Sequence, residues 1–123
     1  MTADAPAYDP DNIFAKILRG EIPNDTVLET EHSLAFRDIR PQAPFHVLVI
    51  PRGAYVDYAD FAARASEAEL VDFHRALARV CAEAGEGGHR LISNSGAHGH
   101  QEVAHMHVHV MAGRPLGPML VQP

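Results

Sequence analysis

Apolar residues recur along this chain with two different periods, and the switches between them mark out its elements. In Ala104-His105-Met106-His107-Val108-His109-Val110-Met111, histidine alternates with apolar residues. Side chains on a strand alternate faces, so His105, His107 and His109 share one face while Met106, Val108 and Val110 seal the other. A helix would set His105 and His107 about 200° apart, so the spacing predicts a strand over 104–111. Phe45-His46-Val47-Leu48-Val49-Ile50 is apolar on both faces and closed by Pro51, which predicts a central buried strand. His46 falls on the same face of it as Leu48 and Ile50. Residues 26–29 and 34–39 flank a polar turn and predict a hairpin, and 90–94 predicts a further strand.

The helical period appears twice. Ile13, Phe14, Ile17 and Leu18 form the stripe of a short helix over 13–19, with Asp11 or Asn12 as its cap. Gly20 ends it and Pro23 keeps it from resuming. Ser66-Glu67-Ala68-Glu69 has capping-box spacing, and Leu70, Phe73, Leu77, Val80, Cys81 and Ala84 follow at i, i+3, i+4 intervals. That predicts a helix of roughly 18 residues ending near Gly85. Residues 52–65, which hold Tyr55, Tyr58 and Phe61, read as an irregular link, and 113–120 as extended chain. Residues 1–10 read as a flexible tail, leaving 11–123 as one domain. Two helices and about five strands, with short links early and a long helix between strands three and four, predict an α+β fold. Its sheet is expected to be mainly antiparallel with the helices packed against it.

Charge changes the picture in one respect. A net charge of −6 with a pI near 5.8 argues against a groove for long nucleic acids, but leaves room for a mononucleotide. No apolar run is long enough for a membrane span, and no basic-then-apolar leader opens the chain, so a cytoplasmic location is expected. Cys81 stands alone, which excludes an intrachain disulfide or a CxxC zinc knuckle, and its place on the helix stripe predicts a buried, inert thiol.

Three histidines in register admit three readings. They could ligate a metal, since alternate strand positions can converge on one ion and Glu102 could complete the set. They could serve nucleophilic catalysis, with one imidazole attacking while its neighbours orient it or neutralise charge. Or they could simply form a polar face. Phosphorus chemistry favours the second, because protonated imidazoles would neutralise a phosphate while a neutral one attacks. Such a cluster titrates as a unit, and a mixed protonation state near neutral pH is expected. The glycine-containing loop 95–101 feeds into the triad and can present N–H groups to an anion, with Asn94 beside it.

His105-Met106-His107-Val108-His109-Val110-Met111 resembles the His-φ-His-φ-His-φ-φ signature of the histidine triad family. The resemblance is to its Hint branch of nucleoside phosphoramidases. It extends through Ile13–Ile17, Glu21-Ile22-Pro23, Ala35–Ile39, Pro41–Pro44, His46–Pro51, Asn94, Gln101-Glu102-Val103 and Gly113–Leu120. It implies a homodimer in which two sheets join into one of ten strands. It also implies a purine nucleoside monophosphate or phosphoramidate as ligand, hydrolysis of a P–N bond or of aminoacyl-adenylates, and no metal or cofactor. By position, His107 would attack phosphorus to form a nucleotidyl-histidine. His109 and Asn94 would bind phosphate oxygens, while His46 and His105 would orient or tune the nucleophile through a hydrogen-bonded relay. Asp38 would hold the ribose, and Ile13, Phe14, Ile17, Phe36, Ile39 and Leu48 would surround the sugar and base. His100, Gln101 and Glu102 complete the expected substrate-binding set. Three positions vary from the family pattern: His100 stands where glycine is common and would be strained at positive φ, Glu102 stands where some members have serine and bacterial ones often glutamate, and Ala104 replaces a common tyrosine. A non-catalytic nucleotide-binding protein and a zinc-holding triad remain the alternatives.

Overall fold

A computed structural model describes residues 6–119. Helix α1 (Ile13–Leu18) leads into strands β1 (Thr26–Glu29), β2 (Ser33–Arg37) and β3 (Phe45–Pro51). Helices α2 (Tyr58–Arg64) and α3 (Glu67–Glu83) follow, then strands β4 (His89–Ile92) and β5 (Val108–Ala112). The five strands form one sheet in the order β1-β2-β3-β5-β4, with every neighbouring pair antiparallel. The expected α+β architecture is therefore present, with three helices among the described residues where two were expected.

The additional helix lies in the stretch read as an irregular link. Asp57 caps it by accepting from the Asp60 N–H, and Arg64 pairs with Asp60 one turn away at 2.5 Å. Seven residues are too few to show a helical period, so its only local signals were the Asp57 cap and its alanines. At α1 the cap is Asn12, and at α3 Ser66 and Glu69 form a complete capping box.

Strand alternation sorts the core into two faces. Val47, Val49, Met106, Val108 and Val110 face α2 and α3, where Phe61, Phe73 and Val80 close a large apolar cluster around them. Leu34, Phe36, Leu48 and Ile50 face the other way and pack under Phe14 of α1. Cys81 packs at the edge of the first cluster, half-buried rather than fully buried. Asp72 ties α3 to the β1–β2 turn by accepting from the Thr30 and Ser33 hydroxyls and the His32 N–H.

The strand predicted over 104–111 is shorter than expected. Ladder pairing begins at Val108, so His105 and His107 precede the strand. β4 stops at Ile92, opposite His109, and offers the earlier residues no partner. Their backbone bonds go elsewhere: the Met106 N–H donates to Tyr55 O at 2.7 Å, and His107 O accepts from Ser93 Oγ at 2.9 Å. The apolar side chains nonetheless keep their alternation, with Met106 fully buried on the α3 side.

Candidate active site

All three triad histidines lie toward α1, as their spacing predicted, but in unequal surroundings. The Phe14 ring meets His107 edge-on at 5.0 Å between centroids and His105 at 6.4 Å. His107 and His109 stand 5.1 Å apart, and His109 lies 5.2 Å from His46 of β3. His105 is fully buried, and His46 and His107 are nearly so.

The partners of each ring fix where its proton sits. His107 Nδ1–H donates to the His105 carbonyl at 2.7 Å, which leaves Nε2 with a free lone pair. His105 Nε2–H donates to the Pro51 carbonyl at 2.8 Å, so its Nδ1 accepts, from the Tyr8 hydroxyl at 2.6 Å. His46 Nδ1 accepts from the Gln42 N–H at 3.0 Å, so its Nε2–H donates to His109 Nδ1 at 2.9 Å. His109 accordingly carries its own proton on Nε2. Within the expected relay, His46 bonds His109, and the main-chain carbonyl of His105 accepts from His107.

Burial pushes all four imidazoles below their ordinary value. His105 and His109 fall to about 4, the second helped down by His107 and His46. Burial also lowers His107, opposed by its bond to the His105 carbonyl and by Asp38 and Glu102. His46 is lowered by burial against the pull of Asp38. All four shifts favour the neutral imidazole, where a mixed protonation state near neutral pH was expected. A neutral His107 offers Nε2 to an electrophile without first losing a proton.

A cavity of about 400 Å³ opens in front of His107 and His109. Ile13, Phe14, Ile17, Phe36, Ile39 and Leu48 give it apolar walls, and Asp38, Asn94, His100 and Glu102 stand around its polar part. Ten of the expected substrate-binding residues thus come together. Gln101 is absent from the lining. Its amide donates to Val56 O and Val103 O while Oε1 accepts from the Gly96 N–H, so it braces the loop. Sequence reasoning missed Ile22, Pro23, Asn24, Arg37, Gln42 and Val103, which also line the cavity. Nothing in their spacing marks them, because the folding of α1 and the β2–β3 connection over the sheet brings them there.

The loop before the triad is tightly made. His100 has φ +59°, the left-handed conformation that costs a side-chain-bearing residue energy. Its Nε2 lies 3.1 Å from Glu102 Oε1 at the exposed cavity mouth. A Cβ on Gly99 would collide with the Ser95 carbonyl, so only glycine fits there. Asp38, half-buried, accepts from the Arg40 N–H and lies 3.5 Å from His46 Nε2.

Asp38, His46 and His109 each bring one potential ligand atom within 4.8 Å of the others. A metal held there would have to break the His46–His109 hydrogen bond, which occupies the two facing nitrogens.

Comparison with known proteins adds the following. The sequence model of the HIT domain family matches residues 19–116. An uncharacterised 13.2 kDa HIT-like protein of Azospirillum brasilense is 60% identical over 120 residues, which are 96% of this chain and 98% of that protein. The purine nucleoside phosphoramidase of Escherichia coli K12 is 46% identical over 112 residues, covering 89% of this chain and 93% of the relative. Among solved structures, a HIT family hydrolase from Clostridium thermocellum aligns with a TM-score of 0.77 at 34% identity. That alignment covers 90% of this chain and 97% of the other.

Proposed function

Because this chain belongs to the HIT domain family, we propose that it is a nucleotide-binding hydrolase cleaving the P–N bond of purine nucleoside 5′-phosphoramidates. The observation that carries this reading is the state of His107. Its Nδ1–H is held by a backbone carbonyl, and its unprotonated Nε2 belongs to a residue lining a cavity large enough for a nucleotide. The phosphoramidase named among its relatives supports the substrate class.

In this mechanism the purine and ribose rest between α1 and the sheet, with Asp38 accepting from the ribose hydroxyls. Asn94 and the His109 Nε2–H donate to phosphate oxygens. His107 Nε2 attacks phosphorus, forming an N–P bond as the P–N bond breaks, and the amine leaves with the bonding pair and takes up a proton from solvent, which the water that later cleaves the intermediate returns. The His105 carbonyl stabilises the positive charge that develops on the attacking ring. Water then cleaves the nucleotidyl-His107 bond, releasing the nucleoside monophosphate and restoring the imidazole. In the ligand-free site burial favours neutral His109 and His46, which offer N–H dipoles to an incoming phosphate.

Adenosine 5′-phosphoramidate is the direct test. Wild type should release AMP and His107→Ala should be slower by at least about 10³-fold. Equal turnover in the two would defeat the nucleophile assignment, and a wild type that binds AMP without turning over any phosphoramidate would favour a nucleotide-binding role without catalysis. Zinc is the second reading, on the proximity of Asp38, His46 and His109. Loss of turnover on chelation, with stoichiometric metal in the purified protein, would establish it in place of the metal-free route.

The exposed Glu102 carboxylate at the cavity mouth favours a cationic leaving amine, such as a lysyl conjugate. Glu102→Gln should lower the ratio of lysyl to neutral-amine turnover, and an unchanged ratio would remove that role. A homodimer fits β4, an edge strand carrying the exposed Leu91. Pairing two such edges would give the ten-stranded sheet, and light scattering at micromolar concentration measures whether two copies associate.

A further inference from the structure

The N-terminal segment reaches the site through a single side chain. Tyr8, half-buried, donates its hydroxyl proton to His105 Nδ1 at 2.6 Å and sets its ring edge-on to the imidazole, 5.6 Å between centroids. His105 is fully buried and has both ring nitrogens satisfied, by Tyr8 on one side and the Pro51 carbonyl on the other. Its main-chain carbonyl is the acceptor that holds the His107 Nδ1–H. Three hydrogen bonds therefore run in series from Tyr8 and Pro51 through His105 to the attacking ring.

The segment that carries Tyr8 is itself knitted to α1. Asn12 Nδ2 donates to Asp9 O at 2.8 Å, and Arg19 Nη1 donates to Pro10 O at 2.6 Å. Asn12 also caps α1, whose Phe14 packs on both His105 and His107. Tyr8 thus sits where the wall of the cavity and the triad are joined.

We propose that Tyr8 is a positioning residue for the nucleophile, fixing the tautomer and placement of His105 and through its carbonyl the orientation of His107. The physical reason is that a buried imidazole must have both nitrogens paired. With the hydroxyl in place, Nδ1 is an acceptor and the ring proton stays on Nε2, bonded to Pro51. Without it, Nδ1 is left buried and unpaired, which favours rotation of the ring, a shift of its proton, or entry of water. Each of these moves the peptide that carries the carbonyl. The catalytic part of this inference rests on the function proposed above.

Tyr8→Phe separates the hydroxyl from the packing, since it keeps the ring edge against His105. The measurements are steady-state hydrolysis of adenosine 5′-phosphoramidate and the ¹⁵N resonances of the His105 ring. We expect kcat to fall about fivefold, the loss of one neutral hydrogen bond, with KM within about twofold of wild type. The His105 Nδ1 resonance should shift as its donor disappears. A role confined to packing predicts no change in either, and an unchanged kcat in Tyr8→Phe overturns the inference even if Tyr8→Ala unfolds. The ring resonances test the hydrogen bond itself without reference to activity. An unshifted His105 Nδ1 defeats the positioning role, whereas a wild type inactive on every phosphoramidate defeats only the proposed function.

Discussion

The two faces of the sheet are built from the same strands and have opposite purposes. On one, a helix of 17 residues covers β1 to β3, and with α2 it buries Phe61, Phe73 and Val80 against a layer of valines. On the other, α1 has only six residues and leaves a cavity of about 400 Å³ beside it. The first face holds apolar side chains, tightly layered. The second interleaves Leu34, Phe36, Leu48 and Ile50 with four imidazoles that burial pushes below their ordinary value. The difference teaches that one alternating strand can hold up a core and a reactive cluster together, provided the covering helices differ in length. The larger apolar cluster lies on the α3 side, and the imidazoles and the cavity lie on the α1 side.

Breaking the closed face should have the largest effect on stability. Phe61 is fully buried and stacks edge-on against Phe73 at 5.0 Å and near Tyr55 at 5.3 Å. Phe61→Ala should cost about 3–5 kcal/mol by urea unfolding. By contrast, His107→Ala, beside the open cavity, should cost less stability than Phe61→Ala while removing turnover. Equal losses from the two would dissolve the division between the faces.

Acid should act selectively on the open face. In the unfolded chain His105 and His109 titrate at their ordinary value of 6.5, whereas folding holds them down to about 4. Between those values the unfolded chain binds more protons, so their contribution is complete above about pH 6.5 and is lost as pH falls toward 4. His105 should remove up to about 1.4 kcal/mol of stability per pH unit within that window, and the partly exposed His109 less, because solvent screens it. Denaturation midpoints at pH 7, 6 and 5 measure it, and a flat profile would contradict the burial of these rings.

The smallest effect is expected at the rim. His100→Gly relieves a left-handed backbone and should stabilise the protein by about 1 kcal/mol, since the exposed pair with Glu102 contributes little. A loss of stability on this change would mean that His100 makes a contact stronger than its exposure suggests.

Much of this was legible in the residues. Asn12, Ser66 and Glu69 announced their helix starts, because capping is a local hydrogen-bonding problem solved within four residues. The facing of His46 with Leu48, and of Met106 with Val108, followed from strand alternation alone. Helix α2 was hidden because it is shorter than the window in which a period can be seen. Tyr8 gave one signal, a lone aromatic in a polar, proline-containing stretch, and nothing in the spacing tied it to a residue 97 positions away.

By itself, then, the sequence determined which histidines share a face, which residues seal the core, where the helices begin, and the family through its ordered motifs. The resemblance already implied unequal roles for the three imidazoles, but only the tertiary structure decided where each carries its proton. Their proton positions depend on the carbonyls of Pro51 and His105, the N–H of Gln42 and the hydroxyl of Tyr8. A backbone carbonyl has no sequence signature, and it acquires a partner only when distant segments are folded against one another.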